Sequence, residues 1–265
     1  MSTPPALEGF DSFSFTADNA MRTVYRRGEG PAVLVVHEIP GITPAVADFA
    51  RRVAEAGFTA VLPHLFGTPG KDYSGGYIAE QMLRACISRE FHVLASRGSS
   101  PITSWLRALC RQAHSECGGP GVGCIGMCLT GNFALSMMLD ESVMAPVLSQ
   151  PSLPFPVSAE HRRGLHLSDG DLEIVKKRAG AGVGVLGLRF SADSTCPGER
   201  FERLREELGE GFEGIEIDSS RGNPHGISRA SHSVLTKDLV DEAGHPTREA
   251  LERVLGFFGE RLRPA

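Results

Sequence analysis

The feature that most constrains the fold is a series of short apolar runs in which apolar and polar residues do not alternate. Examples are PAVLVV at residues 31–36, FTAVLP at 58–63 and VGVLGLRF at 183–190. A strand that is apolar at almost every position is buried on both faces, as the central strands of parallel sheets are. These runs therefore require a sheet that is covered by helices on both sides.

Helical patterns separate the apolar runs. The first helix is predicted to begin at Thr43-Pro44 and to end at Gly57, because Val46 and Val53 lie on one helical face between them. The other predicted segments are an opening hairpin at 12–27, strands at 122–127, 143–149 and 214–217, and helices at 105–113, 129–139, 168–177, 197–208 and 251–258. This alternation predicts a mainly parallel, doubly wound α/β sheet with helices on both faces, in a single domain over residues 1–265.

The composition excludes several classes of function. The 265-residue chain is 41% hydrophobic, which suffices for one large core, and its net charge of -5 without a Lys/Arg block argues against nucleic-acid or membrane binding. We find no membrane-length apolar run and no signal-peptide pattern, so we expect a cytoplasmic protein. The six cysteines are expected to be mostly small buried residues rather than disulfides. Cys124 and Cys128 have no second ligand pair nearby, so no metal site is predicted.

Chemically active residues follow several of the predicted strands. Glu38 comes after the strand at 31–36, Cys128 after 122–127 and Asp193 after 183–190, while His225 and His232 lie beyond 214–217. The carboxyl ends of parallel strands meet at one edge of the sheet, where functional groups gather. We therefore expect a thiol, two carboxylates and a histidine at that edge.

Cys128 stands where a strand turns sharply into a helix. The local sequence is Gly126-Met-Cys-Leu-Thr-Gly131, and a nucleophile at such a turn has small residues two positions before and two after it. Gly126 fits the first position, whereas Thr130 occupies the second and Gly131 comes one residue late. The turn is therefore expected to be wider or differently packed. A helix that begins there favours a thiolate and a neighbouring oxyanion.

Together these motifs resemble the dienelactone hydrolase family of α/β hydrolases. That family has a cysteine in a GxCxGG turn, and its earlier strand ends in a sequence similar to the His37-Glu-Ile-Pro-Gly41 of this chain. LPHLFGTPG at 62–70 resembles the family's PDLY segment. FSADSTCP at 190–197 resembles its stretch around the catalytic aspartate. The resemblance covers about residues 12–262.

The resemblance implies a role for each residue at the edge. Cys128 is expected to attack an ester or lactone carbonyl and form an acyl-enzyme, while Asp193 orients the histidine that activates the thiol. Glu38 is expected to exchange partners with the thiol when substrate binds. The backbone N–H groups of Leu129 and Ile39 are expected to form the oxyanion hole.

The sequence leaves open which histidine is catalytic and which residues bind the substrate. His225 resembles the family's GHSFAR motif, with Arg229 four residues after it, whereas the distance from His232 to the final helix matches the family without a gap. We favour His232. Arg89 and Arg229 are candidates for binding a substrate carboxylate. Residues 71–104 and 151–170 are candidate covers of the site.

The leading hypothesis is a hydrolase of a small ester or lactone that needs no cofactor and forms a monomer or a small homo-oligomer. Two alternatives remain. The chain could be a non-catalytic small-molecule-binding or regulatory member of the same fold. It could also be a thiol redox protein that uses Cys124 and Cys128, although Cys124 is predicted to be buried inside its strand.

Overall fold

The computed structural model describes residues 4–87, 91 and 100–263, and one eight-stranded sheet runs through them. The strands are β1 (Asp11–Ala17), β2 (Ala20–Arg27), β3 (Ala32–Val36), β4 (Thr59–Pro63), β5 (Val122–Met127), β6 (Val143–Ser149), β7 (Val185–Phe190) and β8 (Phe212–Ile217). Their order across the sheet is β1-β2-β4-β3-β5-β6-β7-β8. Strands β4, β3 and β5 to β8 pair in parallel, whereas β1 with β2 and β2 with β4 pair antiparallel, so the prediction of a mainly parallel sheet is confirmed.

Helices connect the strands. They are α1 (Pro44–Glu55), α2 (Gly75–Ile87), α3 (Ile102–Cys117), α4 (Phe133–Met137), α5 (Ala159–Arg163), α6 (Asp169–Gly180), α7 (Gly198–Leu208) and α8 (Pro246–Leu262). The side chain of Thr43 accepts a hydrogen bond from the N–H of Val46, and Ser168 caps α6 in the same way, so both predicted helix starts are confirmed.

The two faces of the sheet carry separate apolar layers. Val33 and Val35 of β3 pack with residues of α1 and α8, whereas Leu34 and Val36 pack with residues of α3, α4, α6 and α7. Consecutive side chains of a strand point to opposite faces, and here both faces are covered. This explains why the central strands lack an alternating pattern.

Two predictions were wrong in detail. The helix predicted at 129–139 is a short 3₁₀ turn at Cys128–Thr130 followed by α4, because the chain reverses direction at the cysteine before regular helix begins. Helices α2 and α5 were not predicted. Helix α2 lies in the first segment expected to cover the site, at 71–104, and α5 lies in the second, at 151–170. Within the described residues, no helix is long and apolar enough to cross a membrane. The same residues contain no cluster of three His, Cys, Asp or Glu side chains suited to a metal.

Candidate active site

The predicted site residues meet at the carboxyl edge of the sheet. Glu38 follows β3, Cys128 follows β5 directly and Asp193 follows β7, while His232 lies in the long loop between β8 and α8. Cys128, Asp193 and His232 line one cavity of about 370 Å³. The strand order explains this arrangement, since β3, β5, β6 and β7 are adjacent and parallel.

The backbone is strained at the turn that carries Cys128. Cys128 has a φ of +53°, in the left-handed region that non-glycine residues rarely adopt. Gly126 is required two residues earlier, because a Cβ there would lie 2.0 Å from the carbonyl oxygen of Thr130. The strain thus lies at a residue whose thiol lines the cavity.

Thr130 is held in the turn by its hydroxyl. The Oγ1 atom accepts a hydrogen bond from the N–H of Met127 at 3.0 Å. It also lies 3.0 Å from the carbonyl oxygens of Val36 and Met127 and 3.2 Å from that of His37, to one of which it donates. Gly131 is the residue that must be small, since a Cβ there would lie 2.4 Å from the Cα of Pro151. The threonine therefore links the turn to the end of β3.

Asp193 and His232 form a short hydrogen bond. His232 Nδ1 donates to Asp193 Oδ2 at 2.6 Å, and Asp193 Oδ1 accepts from the N–H and the hydroxyl of Thr195 at 2.9 and 2.7 Å. Burial alone favours the neutral carboxyl. The bond and charge of His232, with the bonds from Thr195, outweigh it and lower the pKa of Asp193. The aspartate is thus an anion that orients the imidazole.

His232 joins Asp193 to Cys128. Burial tends to lower the pKa of His232, but the charge of Cys128 and hydrogen bonds with Asp193 and Cys128 raise that pKa well above its ordinary value. With Nδ1 engaged by Asp193, Nε2 is the ring nitrogen left for the thiol. A carboxylate, an imidazole and a thiol in this order form an arrangement suited to thiol chemistry.

Comparison with known families agrees with this geometry. The sequence model of the dienelactone hydrolase family matches residues 20–262. The chain belongs to the dienelactone hydrolase family. The family match spans the whole sheet apart from the first strand, and it includes every residue at the edge.

Individual relatives of this dienelactone hydrolase family member agree in fold. A protein from Klebsiella pneumoniae subsp. pneumoniae MGH 78578, assigned to the dienelactone hydrolases, is 17% identical, with a TM-score of 0.64 over 95% of this chain and 98% of that one. A dienelactone hydrolase from Anabaena variabilis ATCC 29413 is 18% identical, with a TM-score of 0.60 over 97% and 100%. The fold is therefore that of the α/β hydrolases.

A curated relative matches over a shorter region. YghX of Escherichia coli (strain K12), a fragment assigned as a hydrolase, is 44% identical over 59 residues, which cover 21% of this chain and 50% of YghX. The match thus spans about half the length of that relative.

The cavity beside Cys128 has an apolar wall and a polar rim. Ile39, Ile78, Met82 and Phe155 supply the apolar side chains. The rim carries Arg229 and two residues that the sequence analysis missed, Tyr73 and Lys237. Tyr73 lies inside the predicted cover at 71–104, and Lys237 lies five residues after His232. Their positions make both residues candidates for lining the site, but nothing in the sequence distinguishes them from their neighbours.

His225 lies away from this cavity. Its ring packs against that of His245 at 5.4 Å, and it lines a separate surface groove with residues of β8 and α8. The structure therefore does not bring His225 to Asp193. His232 contacts Asp193 instead, because the loop between β8 and α8 places His232 at the edge of the sheet. Arg229 lines the cavity, and Arg89 falls outside the described residues.

The backbone groups expected to bind an oxyanion flank Cys128. Leu129 is in the first turn of the 3₁₀ helix, where N–H groups have no acceptor within the helix, and Ile39 lines the cavity from the loop after β3. Ser152, also missed, follows the adjacent strand β6. Its N–H donates to the carbonyl oxygen of Cys128 at 2.9 Å, and its hydroxyl lies 3.8 Å from Cys128 Sγ.

The segment after β6 is fastened by one buried arginine. Arg200 is fully buried and donates to the carbonyl oxygens of Pro151, Pro154, His161 and Gly164. Burial lowers its pKa to about 10. The segment predicted as a second cover therefore forms a fixed wall of the cavity, to which Ser152 and Phe155 belong.

Two other titratable groups near the edge are unsuited to chemistry. His37 is completely buried, which lowers its pKa to about 3, and its ring is fixed between the carbonyl oxygen of Glu38 and the N–H of Leu65. Cys124 is buried inside β5 as predicted, and burial raises the pKa of its thiol. Neither group reaches the cavity, so the redox alternative loses its second thiol.

Proposed function

We propose that this protein hydrolyses a small ester or lactone through a covalent acyl-enzyme on Cys128. The observation that carries the proposal is the continuous chain from Asp193 through His232 to Cys128 at the wall of one cavity. His232 takes the thiol proton, and the thiolate attacks the carbonyl carbon. The electron pair of the carbonyl moves to its oxygen, which the N–H groups of Leu129 and Ile39 stabilise.

Collapse of this tetrahedral intermediate releases the leaving group and leaves a thioester on Cys128. His232 gives its proton to the departing oxygen. It then removes a proton from a water molecule, which attacks the thioester and regenerates the thiol. Asp193 keeps the imidazole in the required tautomer throughout.

The cavity favours a substrate that is part apolar and part anionic. The apolar wall suits a small hydrocarbon portion, while Arg229 and Lys237 at the rim are suited to a carboxylate. Within the described part of the chain, the carboxylates at this cavity are already hydrogen-bonded: Asp193 to His232, and Asp238 to the backbone N–H groups of His232 and Ser233. Arg229 and Lys237, whose ammonium lies 5.9 Å from the centre of the Tyr73 ring, are thus suited to bind a substrate carboxylate.

The test compares the wild-type protein with Cys128→Ala on p-nitrophenyl acetate and on a dienelactone, with intact-mass detection of an acyl adduct. We expect turnover and an adduct in the wild type and neither in the variant. Cys86→Ala is the matched control, because that thiol lies exposed on α2. A wild type without turnover or adduct that binds small carboxylic acids tightly would contradict the proposal and favour a binding protein.

A further inference from the structure

The carboxylate of Glu38 is buried and fully hydrogen-bonded. Only 1% of the residue is exposed. Oε1 accepts from the hydroxyl of Tyr73 at 2.6 Å and from that of Thr236, and Oε2 accepts from the hydroxyl of Ser233 at 2.8 Å and the amide of Gln150 at 3.2 Å. Two donors on each oxygen match an ionised carboxylate, which can only accept.

All four donors are neutral, and the thiol is not one of them. Within the described residues, the side-chain hydrogen bonds of Glu38 come from three hydroxyls and one amide. The residue four positions after His232 is Thr236, where the motif discussed above has an arginine. The hydrogen-bonding capacity of the carboxylate is therefore used without either a cation or Cys128.

The donors come from separate parts of the site. Tyr73 precedes α2, whose Ile78 and Met82 form the apolar wall. Ser233 follows His232 directly, and Thr236 belongs to the same loop. Gln150 ends β6 beside the Ser152 segment. One carboxylate at the end of β3 thus joins the cavity wall, the histidine loop and the neighbouring strand.

We propose that Glu38 is a positioning residue. It holds the loop that carries His232, and the segment around Tyr73 that leads into α2, in place beside Cys128, and it does not exchange partners with the thiol. The proposal rests on the proposed hydrolase function for its catalytic consequence. Its physical basis is that each attached segment can shift only if its own hydrogen bonds to this one buried carboxylate are broken or bent.

The two possible functions of Glu38 predict opposite effects when its donors are removed. Thr236→Val and Tyr73→Phe each delete one hydroxyl that donates to Oε1. If Glu38 positions the site, each variant lowers kcat about tenfold, the size expected for one hydrogen bond to a charged group. If Glu38 serves the thiol instead, freeing its oxygen leaves the reactivity of Cys128 equal or higher.

The rate of Cys128 alkylation by iodoacetamide at pH 7 gives a second readout that does not depend on ester hydrolysis. We expect it to fall in parallel with kcat in both variants, because a displaced His232 stabilises less thiolate. Thr236→Ser keeps the hydroxyl that Thr236→Val removes, so both of its rates should stay at the wild-type level. Since Thr236 does not line the cavity, KM should stay within about twofold of wild type in Thr236→Val.

Matched controls are available on the outer hairpin. Thr16→Val on β1 and Tyr25→Phe on β2 make the same chemical changes in strands that contribute nothing to the cavity. Both should keep wild-type rates. If Thr236→Val proves unstable, Tyr73→Phe and Thr236→Ser still test the proposal.

Two results would overturn the proposal. One is a loss of alkylation in Glu38→Gln while Thr236→Val and Tyr73→Phe react as fast as wild type, which assigns Glu38 to the thiol. The other is a lower Tm in all three variants with unchanged kcat and alkylation, which reduces Glu38 to a stabilising residue. A wild type that hydrolyses no ester would defeat the proposed function, but the alkylation rates would still decide the function of Glu38.

Discussion

Two buried carboxylates stand at the same edge of the sheet, and they differ in their partners. Asp193 binds an ionisable imidazole and three groups of its own loop, which are the N–H and hydroxyl of Thr195 and the N–H of Cys196. Glu38 binds four neutral donors from three separate segments. A carboxylate beside an imidazole can tune a proton transfer, whereas one surrounded by hydroxyls and an amide holds segments together. Both residues are carboxylates that follow parallel strands at the same edge of the sheet, so the difference between them lies in their partners.

The sharpest test of this difference is the loss of charge at each carboxylate. Asp193→Asn should lower kcat by about 10⁴-fold, because the amide favours the wrong imidazole tautomer. Glu38→Gln should lower it by only about 10- to 100-fold, since glutamine keeps part of the hydrogen bonding. Steady-state kinetics on p-nitrophenyl acetate measure both. Equal losses in the two variants would remove the distinction.

Arg200 extends the comparison to a buried cation with neutral partners. Arg200→Met leaves four carbonyl oxygens without their donor, and we expect it to reduce the free energy of unfolding by about 3 kcal/mol. Urea denaturation measures this. The exposed Arg221→Met serves as the control and should change stability by less than about 0.5 kcal/mol. An Arg200 variant as stable as wild type would show that the segment at 151–164 holds its shape without the arginine.

The pH dependence of the free energy of unfolding tests the comparison further, because His232 titrates differently in the folded and unfolded states. Its folded-state pKa is raised, so its contribution to stability is complete below the unfolded value of about 6.5 and is lost as pH rises through the folded value. His232→Asn should therefore be less stable than wild type by about 2 kcal/mol at pH 6, with a smaller deficit at alkaline pH.

Denaturation at a series of pH values provides the measurement. Because the pKa of Asp193 is lowered, the stabilisation by the pair should also fade as the medium is acidified below about pH 4, where the carboxylate is lost. A deficit that does not vary with pH would mean that the histidine contributes packing alone.

The smallest expected effect is at the other candidate histidine. His225→Asn changes an exposed ring that packs on His245, outside the cavity of Cys128. We expect kcat/KM within about twofold of wild type and a stability change below about 0.5 kcal/mol. A large loss of kcat/KM here, with His232→Asn active, would reverse our assignment of the triad histidine.

The sequence by itself determined the sheet and the edge at which the chemistry gathers. Continuous apolar runs between helical patterns have only one way to be buried on both faces, and parallel strands bring Glu38, Cys128 and Asp193 to the same edge. The helix starts at Thr43 and Ser168 could also be predicted, because capping is a local interaction. The family resemblance extended these inferences to the expected thiol chemistry.

Only the tertiary structure decided which of His225 and His232 meets Asp193, because six residues of loop lie between them and the path of that loop depends on distant contacts. The same holds for Tyr73, Gln150 and Thr236, which meet Glu38 from positions between 35 and 198 residues away in the chain. Local patterns report burial and backbone geometry. The partner of a buried charge is determined by which segments the fold brings together, and no local pattern carries that information.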